Sequence, residues 1–279
     1  MTAKAVKSSL KSLAKYPIPL TRRELNAYNN GAKVLINSRA KSGTFLLRRT
    51  LSLLPNFAPR WSYHGLVADT PQLYQKIQNI RRGQYVSGHL YWSRELVDLL
   101  VKHEIRTLFI IRDLRDVAVS LADYLTYKNT NHRLHPYFKS LPTDEARLMA
   151  AIVGVPGNLI GDGKREKSIG ESGEAFAPWL NEPNCLAVRF EDMIGSAGGG
   201  SDRRQLDNVR AIVNYLGLDL SEEQITQVAQ NIFFKRSTTF RKGQIGDWQN
   251  HFTDEHKRAF KEVAGEALIN LGYESGFDW

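Results

Sequence analysis

The sequence predicts an α/β fold, a single domain with a central parallel β-sheet flanked by helices. Three observations predict it. Apolar, largely β-branched runs recur at residues 34–36, 107–111 and 186–190. The first two lead through a polar turn into a helical pattern, and strands alternating with helices build parallel sheets with right-handed crossovers. The runs also lack polar alternation, as strands covered on both faces do. With 279 residues, the chain is long enough to bury a substantial core.

The elements follow in order. Residues 1–30 are basic and weakly amphipathic, with Pro17 and Pro19 breaking any helix, and are expected as an N-terminal lead-in. They lack the continuous apolar core of a signal peptide. Residues 33–54, KVLINSRAKSGTFLLRRTLSLL, read as strand, tight loop and helix, with Phe45, Leu46, Leu47, Leu51 and Leu54 at helical spacing. Residues 55–72 hold three prolines and read as an irregular cover or pocket wall. Helical fragments follow near 71–80 and a short strand at 85–87, with Gly88, His89 and Leu90 at its exit. Ser93 caps a helix over about 94–103. The strand at 107–111 leads through a charged turn, 112–116, into a helix at 117–127. A helix near 143–152 precedes residues 153–180, which are rich in Gly and charge and are expected as a substrate lid or flexible insert. After the strand at 186–190 come Glu191, Asp192 and a flexible GSAGGGS loop. Helices follow at 202–216 and 221–232, the second opening with Ser221 and Gln224 in capping-box spacing. Residues 235–252 form a polar loop, and Thr253 caps a last helix to about 270.

Apolar residues make up 42% of the chain and charged residues 24%, ordinary values for a globular protein. No run approaches the roughly 18 apolar residues of a membrane span. The net charge of +9 and pI of about 9.6 call for anionic partners. The cations sit in short loops after strands rather than in one run, which favours a discrete anion pocket over a nucleic-acid stripe. The single cysteine, Cys185, excludes an internal disulfide and fits a reducing, cytoplasmic setting. It begins a strand and reads as buried and inert.

Three loops hold anion-binding residue types: Lys41, Ser42, Gly43 and Thr44; then Arg112 with Ser120; then Arg241, Lys242 and Gly243. The first opens a helix, whose unpaired N–H groups and dipole suit a phosphate or sulfate. The same residues would equally make an ordinary capped turn. Three such loops in one chain point to a ligand with several anionic groups, as in a nucleotide. The other candidates have bland readings too: Arg112 pairing with Asp113 or Asp116, the 241–252 loop as a solvated basic turn anchored by Trp248, and His89, at the exit of the 85–87 strand, as a structural residue.

These motifs together resemble the sulfotransferases that use 3′-phosphoadenosine 5′-phosphosulfate (PAPS), in particular the cytosolic type and its bacterial relatives. The resemblance runs from about residue 33 to the C-terminus and rests on AKSGT (40–44), IRDLRDVAVS (111–120), VRFEDM (188–193) and RKGQIGDWQNHF (241–252). It implies a P-loop-NTPase-like sulfotransferase fold, PAPS as sulfuryl donor, its desulfated form PAP as product, and no metal requirement. By this resemblance Lys41, Ser42, Gly43 and Thr44 hold the 5′-phosphosulfate, with Lys41 stabilising the leaving oxygen, and Arg39 and Phe45 also belong to the cofactor site. Arg112, Ser120, Arg241, Lys242 and Gly243 hold the 3′-phosphate, Phe190 lies near the adenine, and His89 is the catalytic base. A histidine suits that role near neutral pH. His132 and His135 are close, but nothing nearby completes a metal site. The chain departs from the family in Ala40, where proline is usual, and in Leu46, where a tryptophan flanks the adenine. The family's KxxxTVxxxE dimer motif is not evident, so its dimer mode is not carried over.

The acceptor is expected to be a small molecule carrying a hydroxyl or an amine, bound by Trp61, Tyr63, His64, Tyr91, Trp92 and Tyr124, with further aromatics at Tyr137, Phe138 and Trp179. Two other functions compete. A P-loop kinase would want G-x-x-x-x-G-K-[ST], whereas Lys41 precedes the loop's glycine. A non-catalytic binder of nucleic acid or anionic polymer would show steep salt dependence and no turnover.

Overall fold

The computed structural model describes residues 20–67, 72–233 and 242–279. Five parallel strands lie in the order β2-β3-β1-β4-β5: β1 Lys33–Ser38, β2 Tyr63–Val67, β3 Tyr85–His89, β4 Ile105–Ile111 and β5 Cys185–Arg189. The helices, in chain order, are α1 Arg22–Asn30, α2 Thr44–Leu53, α3 Leu73–Gln78, α4 Arg94–Lys102, α5 Leu114–Asp123, α6 His135–Ser140, α7 Asp144–Val153, α8 Ile169–Phe176, α9 Phe190–Met193, α10 Asp202–Tyr215, α11 Glu222–Gln230 and α12 Asp254–Asn270. The Ser93 cap, the Ser221–Gln224 capping box and the Thr253 cap all form.

The central strands β1, β3 and β4 are buried on both faces, and alternation along each sorts its residues between two cores. Val34, Ile36, Leu108 and Ile110 meet α2, α10 and α11 on one face. Leu35, Val86, Phe109 and Trp179 meet on the other. That arrangement explains the unbroken apolar runs in β1 and β4.

Four stretches differ from the expectations. Residues 55–72 contain a real edge strand, β2, whose pairing with β3 shifts register between His64 and Leu66. Gly65 sits in that irregularity at φ 88°, a conformation glycine tolerates. The expected charged turn at 112–116 is already helix from Leu114, capped by Asp113, whose Oδ1 accepts the Arg115 amide at 2.8 Å. The GSAGGGS loop is held in place: the Asp202 carboxylate accepts the Ser196 amide and hydroxyl, each at 2.8 Å, and the Gly198 carbonyl accepts the Ile245 amide at 3.2 Å. Much of 153–180 is packed rather than free. Gly170 lets α8 approach α12 so closely that a Cβ there would lie 1.8 Å from the Val263 carbonyl oxygen. Trp179 is fully buried and donates its Nε1–H to the Leu90 carbonyl at 3.0 Å. Within the segment, Gly161 to Lys164 stay exposed.

Candidate active site

The order of strands reverses about β1, and parallel sheets bind ligands beyond their carboxyl ends at such a point. The residues that follow β1, β3 and β4 here share one cavity of about 370 Å³.

The loop after β1 makes one wall. Lys41 has φ 72° and Gly43 φ 105°, so two left-handed residues turn the chain sharply into α2. A Cβ at Gly43 would fall 2.7 Å from the Phe190 ring. With glycine as N-cap, no side chain covers the start of α2, and Thr44 and Phe45 of its first turn line the cavity. The Thr44 hydroxyl lies 2.6 Å from the Ser38 hydroxyl. The Lys41 ammonium stands 4.0 Å from the centre of the Tyr124 ring. This wall offers backbone donors, a hydroxyl, a cation and the positive end of a helix dipole to an anion.

His89 ends β3 and is exposed on the cavity wall. Its Nδ1 lies 2.8 Å from the Ser38 carbonyl oxygen. A carbonyl only accepts, so Nδ1 carries the proton and Nε2 keeps a lone pair. Its pKa lies below the ordinary histidine value, chiefly because protein displaces water around it. The Ser38 carbonyl opposes that shift, and the Arg39 and Lys41 charges add to it. The ring is therefore neutral at neutral pH, with its basic nitrogen available.

On the opposite side, Arg112 follows β4. Its guanidinium lies 4.1 Å from the Phe190 ring centre, and its Nη2 donates to Asp116 Oδ2 at 3.3 Å and to the Gln244 carbonyl at 2.8 Å. Its Nε is buried and has no hydrogen-bond partner among the described residues. Asp116 is fully buried and also accepts the Gly246 and Trp248 amides, each at 2.9 Å. One carboxylate thereby ties α5 and Arg112 to the loop bearing Lys242 and Gly243. Burial raises the Asp116 pKa, against the pull of Arg112 and the two amides. Lys242 pairs with Asp247 at 3.1 Å, and Gly198 supports Gly243 from behind, since a Cβ there would meet the Gly243 carbonyl at 2.6 Å. Beneath this wall Arg115 is held between Trp248 and Trp279, 4.3 and 4.5 Å from their ring centres. Glu191 accepts the Asp113 amide at 3.1 Å and the Tyr273 hydroxyl at 2.9 Å, a supporting role.

The cavity gathers Lys41, Gly43, Thr44, Phe45, His89, Arg112, Ser120, Phe190, Lys242 and Gly243, all singled out from the sequence. Arg39 and Ser42 are buried and do not line it. Arg39 donates to the Ser172 hydroxyl at 3.0 Å and to its neighbour's carbonyl, and burial lowers its pKa to about 10. The Ser42 amide donates to the Arg39 carbonyl at 3.2 Å. Arg241 lies outside the described residues. Among the expected acceptor residues, His64 and Tyr124 line the cavity. Trp61, Tyr63, Tyr91 and Trp92 do not. Tyr63 neighbours His64 on β2, so its side chain takes the other face, where its hydroxyl donates to the Lys76 carbonyl at 2.7 Å. The Trp61 carbonyl accepts from Gln84 at 2.6 Å, Tyr91 packs on Phe176 with ring centres 5.0 Å apart, and Trp92 donates to Glu182 at 3.2 Å. Phe138 and Trp179 are core residues, and Tyr137 packs edge-on against Phe138.

Arg48, Ser87, His132 and Phe233 also line the cavity and were not read from the sequence as binding residues. Arg48 stands four residues after Thr44 on α2, so helical spacing was a usable signal. His132 Nδ1 accepts the Leu134 amide at 3.2 Å, which leaves the neutral ring's proton on Nε2. His132 is thus a donor where His89 is an acceptor. Cys185 is half-buried, and desolvation pushes its thiol up to about 12. Among the described residues, no three His, Cys, Asp or Glu side chains are grouped to hold a metal ion, and no helix is long and apolar enough to cross a membrane.

A model of the sulfotransferase domain matches residues 32–272, nearly the whole described chain. The chain belongs to the sulfotransferase domain family. Sulfotransferase 6B1 of Danio rerio is 27% identical over 102 residues, spanning 32% of this chain and 32% of that protein. Cytosolic sulfotransferase 1 of Danio rerio is 30% identical over 125 residues, 34% of this chain and 39% of that protein. These two matches each cover well under half of the relative's length. Sulfotransferase 2A2 of Mus musculus aligns more fully, 24% identical over 88% of this chain and 87% of that protein. In fold, the chain is similar to mouse sulfotransferase SULT7A1 complexed with PAP, with a TM-score of 0.60 at 19% identity, covering 95% of this chain and 89% of that one. It is similar also to retinol dehydratase in complex with androsterone and inactive cofactor PAP, at TM-score 0.58, 16% identity, and 87% and 83% coverage.

Proposed function

We propose that this sulfotransferase-family chain transfers a sulfuryl group from PAPS to a hydroxyl, or alternatively an amine, of a small-molecule acceptor. The observation that carries the reading is the His89 ring. Its Nδ1–H is committed to the Ser38 carbonyl, and its Nε2 is left as an acceptor on a cavity that also holds Lys41 and the start of α2. Two features fit PAPS and PAP in particular. Such a molecule has anionic groups at two separated points, and the cavity has Lys41 on the loop after β1 and Arg112 with Lys242 on the opposite wall. The buried Arg112 Nε, without a hydrogen-bond partner among the described residues, and Ser120 on the same cavity fit an oxyanion such as a 3′-phosphate.

PAPS supplies the sulfuryl group and leaves as PAP. In this mechanism His89 Nε2 takes the acceptor's hydroxyl proton as its oxygen bonds to sulfur. The bond from sulfur to the bridging oxygen breaks, and Lys41 stabilises the electron pair left on that oxygen. Preorganised donors of this kind are typically worth ~10²–10³ in rate each. Arg112, Ser120, Lys242 and Gly243 bind the far phosphate, and Phe190 packs beside the adenine. A kinase reading is less well supported, because the lysine precedes the loop's glycine rather than following it.

The test compares thermal stabilisation by PAP with that by ATP and Mg²⁺, and measures label transfer from PAPS to a panel of alcohols, phenols and amines. PAP should raise Tm far more than ATP, and Lys41→Ala should cut turnover at least ~10²-fold. Equal shifts from PAP and ATP would defeat the cofactor assignment.

A further inference from the structure

Lys41, Arg48, Arg112 and Lys242 line the cavity, and among the described residues no Asp or Glu lines it. Lys41 and the Arg112 side serve the two anionic ends of the donor in the reading above, which leaves Arg48 without a task. Its position separates it from both. It projects one helical turn beyond Thr44, beside His64 and Tyr85, which belong to β2 and β3. β2 and β3 lie on one side of β1, whereas β4, which carries Arg112, lies on the other. His89, the base, ends β3 and is therefore on the Arg48 side. Arg48 Nε is buried and has no hydrogen-bond partner among the described residues. A buried guanidinium donor without an acceptor is costly, and an oxyanion removes that cost with a charge-assisted hydrogen bond.

Its neighbours add donors rather than a competing anion. His64 Nδ1 lies 3.0 Å from the Ser87 hydroxyl, and desolvation together with the nearby Arg48 charge lowers the His64 pKa to about 4. His64 is neutral at neutral pH, so the only full positive charge on this part of the described wall is Arg48. Gly65 opens the wall: a Cβ built there meets nothing within 4 Å. An acceptor whose hydroxyl sits at His89 and whose body extends toward β2 brings its far end to Arg48.

We propose that Arg48 selects the acceptor by charge: the natural acceptor carries, besides the hydroxyl, a compact oxyanion such as a carboxylate that pairs with Arg48. This inference rests on the sulfotransfer reading and names its substrate class.

The probes are 4-hydroxybenzoate, 4-hydroxyphenylacetate and 3-(4-hydroxyphenyl)propionate, each against its methyl ester. Calorimetry measures their binding to the PAP-loaded protein, and label transfer from PAPS gives kcat and KM. At least one acid should bind about tenfold or more tightly than its ester, a modest return for one charge-assisted pair. Arg48→Met should abolish that preference through KM, and Arg48→Lys should restore part of it. The Tm rise with PAP should be the same in all three proteins. No acid binding more tightly than its ester, or an unchanged preference in Arg48→Met, overturns this inference alone. A Tm rise with PAP that vanishes in Arg48→Met assigns Arg48 to the donor and also overturns it. Absence of any PAP effect in the unmodified protein overturns the sulfotransfer reading, and this inference with it.

Discussion

Replacing Asp116 by Asn tests whether one carboxylate holds the far wall of the cavity together. Asp116 Oδ2 accepts the Gly246 amide at 2.9 Å and Arg112 Nη2 at 3.3 Å, while Oδ1 accepts the Trp248 amide at 2.9 Å. An asparagine has one oxygen for these two sets. Placing that oxygen at Oδ2 keeps Gly246 and Arg112 but turns the amide nitrogen toward the Trp248 N–H. One buried donor is then unmatched, at about 1–3 kcal/mol. Arg112 also loses its buried counter-charge; removing a partner outright costs about 3–5 kcal/mol, and Asn keeps part of the hydrogen bond. The sum is roughly 2–4 kcal/mol against a total stability of about 5–15 kcal/mol. At about 2–4 °C per kcal/mol for a domain of this size, Tm should drop by roughly 4–16 °C. Because Lys242 and Gly243 hang on the same loop, PAP should bind more weakly, by about tenfold. Urea denaturation and PAP titration by calorimetry read the two effects. Stability within about 0.5 kcal/mol of the original, with unchanged PAP affinity, would refute the latch.

His89→Ala should lower transfer by at least ~10²-fold and leave the Tm rise with PAP nearly intact; loss of both together would make His89 a structural residue. The His64 pKa of about 4 lies below its usual 6.5, so the folded state binds fewer protons than the unfolded state between those values. Stability should therefore fall as pH drops from about 6.5 toward 4, and His64→Gln, which can still bond Ser87, should flatten that slope in a Tm-versus-pH series. An unchanged slope would mean His64 is not the group responsible. Gly198→Ala places a methyl 2.1 Å from Ile194 Cγ1 and 2.6 Å from the Gly243 carbonyl. It should weaken PAP binding more than it lowers Tm in the free protein, and equal PAP affinity would show that the Gly198 support is dispensable.

The elements that were legible beforehand are those whose signals are local. Val34, Leu35 and Ile36 announced a covered strand, and all three are fully buried. Ser93, Ser221 and Thr253 announced helix starts, because a cap is a bond to a backbone amide within the next few residues. β2 was not legible: it has five residues, one of them a glycine, and it exists because β3 pairs with it. Acidic and basic residues at 112–116 read as a charged turn, and Arg112, Asp113, Arg115 and Asp116 are nevertheless buried, because each charge finds its partner in the same short stretch or in the 244–248 and C-terminal segments.

By itself, the sequence determined the fold class and marked Lys41, Gly43, Thr44, Arg112, Ser120 and Gly243, residue types suited to an anion that line one cavity, since these depend on runs and spacings within short windows. Only the tertiary structure decided which nitrogen of His89 is basic, that Asp116 joins α5 to the loop after Lys242, and that Arg48 faces the same cavity. Each of those facts is a contact between segments tens of residues apart, and no local pattern encodes a partner that folding alone brings near.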